Sequence, residues 1–320
     1  IYLLQKMNFK KPFFWDYKKP NFLSYILLPL TIPIMINNYF LIKQKKNKKK
    51  NKNIKSICVG NIYVGGTAKT PLTIEINNIL NTLNYKTVII KKYYKAQIDE
   101  QKLLSKKAKL YCHNKRQGAL NRAVKNNIDV AIFDDGLQDR SILYDLNFVC
   151  FNNLKWIGNG HLIPSGPLRE KLSSISKYDA IFLNGNGETT NKIKQIIKKN
   201  NQNIKIFDTS YKPLDLKKFN LKERFIIFSG IGNPDSFKKT LQKNRFNIVG
   251  DIKFPDHYEY KKKDISYIRL YAKKLDAKIL TTEKDFVKIN NRDSKGIKFL
   301  EVKMEIKQKK KLIKFIESKI

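Results

Sequence analysis

The chain has 320 residues, of which 42% are hydrophobic and 12% aromatic, so it can bury a sizeable core and is too large for a peptide hormone. Lysine and arginine total 65 against 27 aspartate and glutamate residues, and the resulting charge of +38 would favour a polyanionic partner. However, the chain is rich in Lys, Asn, Ile, Tyr and Phe, as A+T-rich codon usage produces, so the charge alone identifies no partner.

The first predicted element is an uncharged, largely apolar stretch at residues 21–42. It is about long enough to span a bilayer as a helix, but Pro29 and Pro33 would each remove a backbone hydrogen bond. Lysines flank both ends, so neither end resembles a translocated one. A membrane span and an ordinary core helix are the alternatives; we predict a membrane-associated N-terminal helix in residues 1–45 that lies in the interface.

A lysine- and asparagine-rich run follows at residues 43–55 and is typical of a solvated linker. It can also contact an anionic membrane surface, where each lysine contributes about 1 kcal/mol.

From Ser56 onwards, short apolar segments alternate with helical patterns, which predicts an α/β domain with a mostly parallel sheet over residues 46–216. The predicted strands are Ile57–Val59, Thr87–Ile90, Val130–Phe133, Phe148–Phe151, Ala180–Leu183 and Ile204–Phe207, and the predicted helices include Leu72–Leu83 and Ala119–Asn126.

A second set of elements predicts a smaller α/β domain over residues 217–320, after a polar segment near Lys217. Its predicted strands are Phe225–Ser229, Ile248–Phe254, Ile279–Thr282 and Phe299–Val302, and its predicted helices are Asp235–Asn244 and Lys262–Leu275.

The three cysteines, Cys58, Cys112 and Cys150, each lie in an apolar, strand-like run. An odd count without paired spacing predicts buried thiols in a reducing compartment and no metal site built from cysteine.

The first chemical motif is VGNIYVGGTAKTP, residues 59–71, in which a glycine-containing loop joins a strand to a helix. Such a loop binds nucleotide phosphates through backbone N–H groups, Lys69 would reach the β- and γ-phosphates, and Thr70 would bind Mg²⁺. The strict pattern G-x-x-x-x-G-K-[ST] fails at two positions, so a glycine-rich turn without a ligand is the alternative. The candidate nucleotide-binding residues are Tyr63, Val64, Gly65, Gly66, Thr67, Ala68, Lys69 and Thr70.

The second motif is Asp134-Asp135-Gly136, directly after the predicted strand Val130–Phe133. A parallel sheet brings the ends of its strands to one edge, so these carboxylates would lie near the phosphate loop. An aspartate there can hold Mg²⁺, whereas an isolated motif of this kind would be a solvated turn.

Six motifs occur in the order seen in the tetraacyldisaccharide 4'-kinases, and the chain resembles that family from about Met7 to its C-terminal end. They are VGNIYVGGTAKTP, DDGLQDR, GNGHLIPSGPLRE, FSGIGNPDSF, FPDHY and TTEKDFVK. The resemblance implies a P-loop NTPase-like domain with a smaller α/β domain closing over the nucleotide.

The resemblance also implies a function. The family transfers a phosphoryl group from ATP, with Mg²⁺, to the 4'-hydroxyl of the tetraacyldisaccharide 1-phosphate precursor of lipid A. The expected partners are this acylated glucosamine disaccharide 1-phosphate and an anionic membrane surface, with no nucleic acid. The expected location is the cytoplasmic face of the bacterial inner membrane, as a peripheral or monotopic protein. The oligomeric state is left open.

The same resemblance implies roles for polar residues elsewhere in the chain. Asp99 would accept the hydroxyl proton, His257 would partner it from the second domain, and Lys69 completes the catalytic set. Glu100 would associate with Mg²⁺, which gives Thr70, Glu100, Asp134 and Asp135 as candidate metal residues. Arg169 is expected near the substrate or a hinge, with its role open.

The chain departs from the family at three places. Ala68 replaces a glycine, Asp139 replaces a histidine, and residues 91–94 (KKYY) replace a Ser-Arg-Gly-Tyr turn before a shortened loop. These departures make a family member that has lost catalysis one alternative. A basic nucleic-acid-associated P-loop NTPase, which would explain the charge of +38, is the other.

Overall fold

The computed structural model describes residues 11–46, 50–139, 141–185 and 190–320, which form two sheets with helices on their faces. The first ten residues of the predicted membrane-associated segment and residues 47–49 of the lysine-rich run lie outside the described residues. The described helices are α1 (Phe22–Ile26), α2 (Ile32–Lys46), α3 (Lys69–Thr82), α4 (Ile98–Lys107), α5 (Arg116–Lys125), α6 (Thr190–Asn200), α7 (Pro234–Lys243), α8 (Lys262–Lys274), α9 (Glu283–Phe286) and α10 (Lys309–Glu317).

The first sheet has eight strands in the order β12-β7-β6-β5-β1-β4-β2-β3. Its strands are β1 (Lys55–Gly60), β2 (Thr87–Lys92), β3 (Leu110–His113), β4 (Val130–Asp134), β5 (Leu146–Asn152), β6 (Ala180–Asn184), β7 (Lys205–Pro213) and β12 (Val302–Ile306). All neighbours pair in parallel except β12, which is antiparallel to β7. The strands are near-continuous apolar runs because helices cover both faces, and one buried cluster lies on each face.

The second sheet has four parallel strands in the order β11-β10-β8-β9. Its strands are β8 (Arg224–Ser229), β9 (Asn247–Lys253), β10 (Lys278–Thr282) and β11 (Ile297–Leu300). Buried apolar clusters again lie on both faces, so this sheet has a core of its own. The prediction of a mostly parallel α/β fold is confirmed.

The chain returns to the first sheet at its C-terminal end. The segment Phe299–Val302 was predicted as one strand, but β11 pairs in the second sheet and β12, which follows Glu301, pairs with β7 in the first. Leu312 and Ile316 of α10 then enter the core of the first sheet. The range 217–320 expected for the second domain therefore includes a strand and a helix that belong to the first sheet, since their apolar side chains complete its open edge.

The N-terminal apolar stretch forms α1, a short 3-10 helix and α2, with Pro29 in the 3-10 helix and Pro33 in the first turn of α2. Proline is tolerated in a first turn because the N–H there has no helical partner. Many large apolar side chains of this stretch are exposed, Phe22 by 77% and Tyr39 by 63%, so it is not an ordinary core helix. Among the described residues, no helix has the length and apolar character needed to cross a membrane.

The prediction of three buried thiols is wrong for one of them. Cys58 and Cys150 are buried in the first sheet, but Cys112 is exposed. Cys112 lies on β3, the edge strand, where one flank of the strand lacks a neighbour to cover it.

The return of the C-terminal segment generates a stability prediction. Leu312 is fully buried in the first core, so Leu312→Ala should lower the free energy of unfolding in urea by about 2–4 kcal/mol. The control Lys311→Ala changes an exposed neighbour in α10 and should have an effect within about 0.5 kcal/mol. Equal effects would show that α10 is not part of that core.

Candidate active site at the junction of the two sheets

The phosphate loop connects β1, in the centre of the first sheet, to α3. Six of its residues, Gly65 to Thr70, line a cavity of about 530 Å³ between the two sheets, together with Val64. This volume is in the range of small-molecule sites. Tyr63 does not line the cavity: its ring packs with Leu162 and Leu168, and its hydroxyl donates a hydrogen bond to Asp16. The structure thus places Tyr63 between the loop and the N-terminal segment.

The loop meets the second domain through two glycines. A Cβ atom on Gly232 would lie 2.6 Å from the backbone nitrogen of Gly66, and one on Gly66 would lie 3.0 Å from the carbonyl carbon of Gly232. Any side chain at Gly232 would therefore force the two loops apart. This close backbone contact explains why the GIGN segment needs glycine.

Ala68, one of the departures from the family, adopts a left-handed conformation with φ 71° as the residue before α3. This conformation costs an L-residue about 1–2 kcal/mol and a glycine almost nothing. The alanine therefore introduces backbone strain in the loop that is expected to bind phosphate.

Lys69 and Asp135 both line the cavity, with Lys69 Nζ 3.8 Å from Asp135 Oδ2. Arg169 from the GPLRE segment donates to Asp135 Oδ1 at 3.0 Å. Burial raises the pKa of Asp135, but the charges of Arg169 and Lys69 outweigh burial and hold that pKa well below its usual range. Asp135 is therefore ionised and hydrogen-bonded to Arg169, whereas Lys69 stays beyond hydrogen-bonding distance.

Asp134 is fully buried at the end of β4, and its oxygens are occupied by three donors. Lys91 Nζ approaches Asp134 Oδ2 at 2.7 Å, Thr70 donates to the same oxygen at 3.3 Å, and Thr73 donates to Oδ1 at 3.4 Å. Lys91 Nζ also lies 2.7 Å from Glu100 Oε2. A lysine ammonium thus bridges two of the carboxylates that were predicted to hold Mg²⁺.

The predicted metal set therefore does not fit direct coordination of Mg²⁺ by all four residues. Asp134 and Glu100 are held by Lys91, and Asp135 is paired with Arg169 and Lys69. Within the described ranges, no three His, Cys, Asp or Glu side chains are grouped as metal ligands. Thr70, Glu100 and Asp135 still line the cavity, whereas Asp134 does not.

Asp99 and His257 meet across the two domains. Asp99 lies in the first turn of α4, and His257, in a left-handed turn of the second domain, places Nδ1 3.0 Å from both carboxylate oxygens. His257 lines the cavity, while Asp99 is 7% exposed and lies behind it. The structure therefore brings these two predicted residues together, with the imidazole on the cavity side.

Two lysines of the TTEKDFVK motif complete this cluster. Lys284 Nζ lies 3.0 Å from Glu100 Oε1 and 3.7 Å from Asp99 Oδ2, and Lys288 Nζ lies 3.6 Å from Asp99 Oδ2. Burial raises the pKa of Asp99, but the hydrogen bond from His257 and the charge of Lys284 outweigh it and lower the pKa. Asp99 is therefore ionised at neutral pH.

Sequence reasoning assigned no role to Lys91, Lys284 or Lys288. The signal for Lys91 in the sequence was a lysine directly after the apolar run of a predicted strand. In the structure it stands opposite Asp134 in the register of β2 and β4. Lysine is almost never fully buried unless it is paired, so such a position indicates a carboxylate partner.

Asp139, the second departure, does not add an unpaired charge to the site. Arg116 Nη1 donates to Asp139 Oδ2 at 2.9 Å, and Arg116 Nη2 donates to the carbonyl of Asp135 at 2.6 Å. Burial raises the pKa of Asp139, but hydrogen bonds from Ser141 and the Arg116 charge outweigh it and lower that pKa. Asp139 thus holds an arginine that supports the Asp134-Asp135 turn.

The strain at Ala68 gives a testable expectation. Ala68→Gly should leave the free energy of unfolding unchanged or raise it by up to about 1 kcal/mol, since relief of the left-handed strain offsets the greater freedom of glycine in the unfolded chain. The matched control Ala119→Gly, in the interior of α5, should lower it by about 1 kcal/mol. Equal losses measured by urea unfolding would contradict strain at Ala68.

Comparisons with known proteins agree with this arrangement. The family model for LpxK, tetraacyldisaccharide-1-P 4'-kinase, matches residues 23–108 and 98–320. A tetraacyldisaccharide 4'-kinase of Pelagibacter ubique is 49% identical over 308 residues, which covers 96% of this chain and 96% of the relative. One of Rickettsia bellii is 32% identical and covers 92% of this chain and 94% of the relative.

A solved structure shares the fold. The crystal structure of LpxK from Aquifex aeolicus in complex with ATP superposes with a TM-score of 0.69 at 24% sequence identity, covering 92% of this chain and 99% of that one. The extent of the family match and the identity to the curated relatives decide the assignment: the chain belongs to the tetraacyldisaccharide-1-P 4'-kinase family.

Proposed function

We propose that this protein transfers the γ-phosphoryl group of ATP to the 4'-hydroxyl of tetraacyldisaccharide 1-phosphate, a step of lipid A synthesis. The observation that carries the proposal is the pairing of His257 with Asp99 at 3.0 Å, at the wall of the cavity that also contains Lys69. The phosphate-binding loop and the His257 member of the pair thus face one cavity, which supports transfer to a hydroxyl.

The donor half of the proposal rests on the loop between β1 and α3. Its backbone and the N-terminus of α3 face the cavity, so phosphate oxygens there would accept hydrogen bonds from backbone N–H groups. Lys69 is only weakly engaged by Asp135, at 3.8 Å, and its ammonium is available to the β- and γ-phosphates. Mg²⁺, when bound with the nucleotide, would supply neutralisation of the transferring phosphoryl group.

The acceptor half rests on Asp99 and His257, which we assign to one proton-accepting unit. A sugar hydroxyl is a poor nucleophile, and its proton must pass to the protein as the phosphoryl group arrives. Asp99 accepts the proton in this assignment, and the imidazole of His257 orients the carboxylate from the cavity side. Because His257 belongs to the second domain, the unit is complete only when the two domains are closed.

Family membership favours this activity over a nucleic-acid-associated NTPase, the first alternative. The second alternative, loss of catalysis, is opposed by the site geometry: Lys69, Thr70, Asp99 and His257 all lie at the same junction despite the three departures.

We propose further that the protein acts at the cytoplasmic face of the inner membrane, bound through its N-terminal helices. Their exposed apolar side chains form what we call the apolar N-terminal face: Phe13, Phe22, Leu30, Ile36 and Tyr39 are among its members. Asn38 Nδ2 donates to the carbonyl of Arg169 at 2.8 Å, so this face is tied to the segment that orients Asp135. A lipid substrate held in the bilayer would thereby reach the cavity.

Activity with labelled ATP and tetraacyldisaccharide 1-phosphate in detergent tests the proposal directly. The wild-type protein should transfer label to the lipid, and Lys69→Ala should reduce kcat by orders of magnitude while the fold is retained. The matched control Lys86→Ala removes an exposed lysine from the first domain and should be fully active. Absence of transfer by the wild-type protein would refute the proposal, and an active Lys69→Ala variant would refute the phosphate-loop assignment.

The proton-accepting unit is tested by a double-mutant cycle. Asp99→Ala and His257→Ala should each lower kcat more than they raise KM for ATP, because the nucleotide contacts remain. The double variant should be little worse than the poorer single one, since either loss disables the same unit. Additive rate defects would mean that His257 acts independently of Asp99.

Vesicle flotation tests the apolar N-terminal face. Each large apolar side chain contributes about 1.5–3 kcal/mol when it leaves water, so the triple variant Phe22→Asn/Leu30→Asn/Tyr39→Asn should lose most binding to anionic vesicles at moderate salt. Leu270→Asn changes an equally exposed side chain on α8 and should bind like wild type. Equal flotation of both variants would contradict membrane binding through this face.

A further inference from the structure

The carboxylates of Asp134 and Glu100 are bridged by a buried amine that belongs to the chain itself. Lys91 Nζ lies 2.7 Å from both Asp134 Oδ2 and Glu100 Oε2, and the Lys91 side chain is 3% exposed. Lys91 stands in the segment KKYY, where the chain departs from the family's Ser-Arg-Gly-Tyr turn. The resemblance therefore did not assign this cation a role, and its contacts alone show what it does.

The backbone fixes the amine in this place. β2 and β4 pair in parallel with Lys91 opposite Asp134, so the two side chains leave neighbouring strands at the same level. Glu100 approaches from the first turn of α4, which begins only a few residues after β2 ends. The short connection between β2 and α4 thus holds Glu100 against the lysine.

The charges around the Lys91 amine are opposite in sign to its own. Burial lowers the pKa of Lys91, but the charges of Asp134 and Glu100 outweigh burial and raise it. The pKa of Glu100 is raised by burial and lowered by the charges of Lys91 and Lys284, with the lowering dominant. Glu100 therefore lies between two lysines, with Lys91 Nζ at 2.7 Å and Lys284 Nζ at 3.0 Å.

We propose that Lys91 is a resident cation of this site: its ammonium takes the position between Asp134 and Glu100 that the sequence assigned to a divalent metal ion. The two carboxylates then position Lys91 and α4 and do not coordinate metal. Lys91 acts as a positioning residue, because it orients the helix that carries Asp99 and does not face the cavity itself. That this position belongs to a kinase active site rests on the proposed function. That the Lys91 amine fills the position rests on its contacts alone.

Binding of Mn²⁺ to the full chain without nucleotide, measured by electron paramagnetic resonance, tests this proposal. Wild type and Glu100→Gln should bind Mn²⁺ equally weakly. Lys91→Met keeps the side-chain length and removes the charge, so it should gain one Mn²⁺ site at least about tenfold tighter than any in wild type. The added change Glu100→Gln should abolish that gained site, and the control Lys92→Met should behave like wild type.

A second readout follows thermal unfolding, since an ion that binds only the folded state raises Tm. Mn²⁺ should raise the Tm of Lys91→Met and leave that of wild type unchanged. A wild-type Mn²⁺ site that Glu100→Gln weakens would overturn the proposal, as would a folded Lys91→Met that gains no site. If Lys91→Met does not fold, the comparison of wild type with Glu100→Gln decides alone. None of these outcomes depends on kinase turnover, so failure of the proposed function is distinguished from failure of this inference.

Discussion

The adjacent carboxylates Asp99 and Glu100 carry the contact on which the two halves of the molecule depend. They lie in the first turn of α4 in the first domain, and the second domain presents Lys284, Lys288 and His257 to them. Isolated buried carboxylates would be strongly unfavourable, and removal of one partner of a buried pair costs about 3–5 kcal/mol. The two domains therefore satisfy one another's charges, and the pair of Asp99 and His257 exists only where they meet.

The remaining contacts between the domains are arranged around this charge cluster. At the far end of α4, Lys107 pairs with Glu283 at 3.0 Å and with Glu301. On the other side of the cavity, Gly66 and Gly232 bring the two loops into backbone contact. The chain also crosses between the sheets twice, after β7 and again at Glu301, so the second domain is attached to the first through two connections.

Much of the fold followed from the sequence because buried parallel strands have a strong apolar signature. The strands β1, β2, β4 and β8 were predicted nearly to their ends, and the phosphate loop and the carboxylates after β4 were placed at one edge by the rules of parallel sheets. The edge strand β3 was not predicted as an element, although Cys112 was placed in a strand-like run, because only the four residues Leu110–His113 form it. The division between β11 and β12 was also missed, because a short segment with one charged residue, Glu301, does not reveal that its two halves pair in different sheets.

The site was predictable only in part. Sequence motifs indicate which side chains can take part in catalysis or binding, but they do not indicate which opposite charges pair with those side chains. Asp99 and His257 were paired through the family resemblance, and their separation of 158 residues hides the contact from local patterns. The chain contains many lysines, as A+T-rich codon usage produces. A buried lysine such as Lys91 therefore could not be distinguished from the solvated ones in the sequence. Tyr63 was assigned to nucleotide binding by its position in the loop. Its side chain instead packs against Leu162 and Leu168 and does not line the cavity.

The most direct test of the charge cluster as the closure contact is a distance measurement between the domains. Spin labels at Lys86→Cys in the first domain and Lys222→Cys in the second, with the exposed Cys112 changed to Ser, report this distance by pulsed electron paramagnetic resonance. We expect one narrow distance distribution in the otherwise wild-type protein. After Lys284→Met, which removes a cation from Asp99 and Glu100, we expect a broader distribution at longer distance. An unchanged narrow distribution in Lys284→Met would contradict the charge cluster as the closure contact.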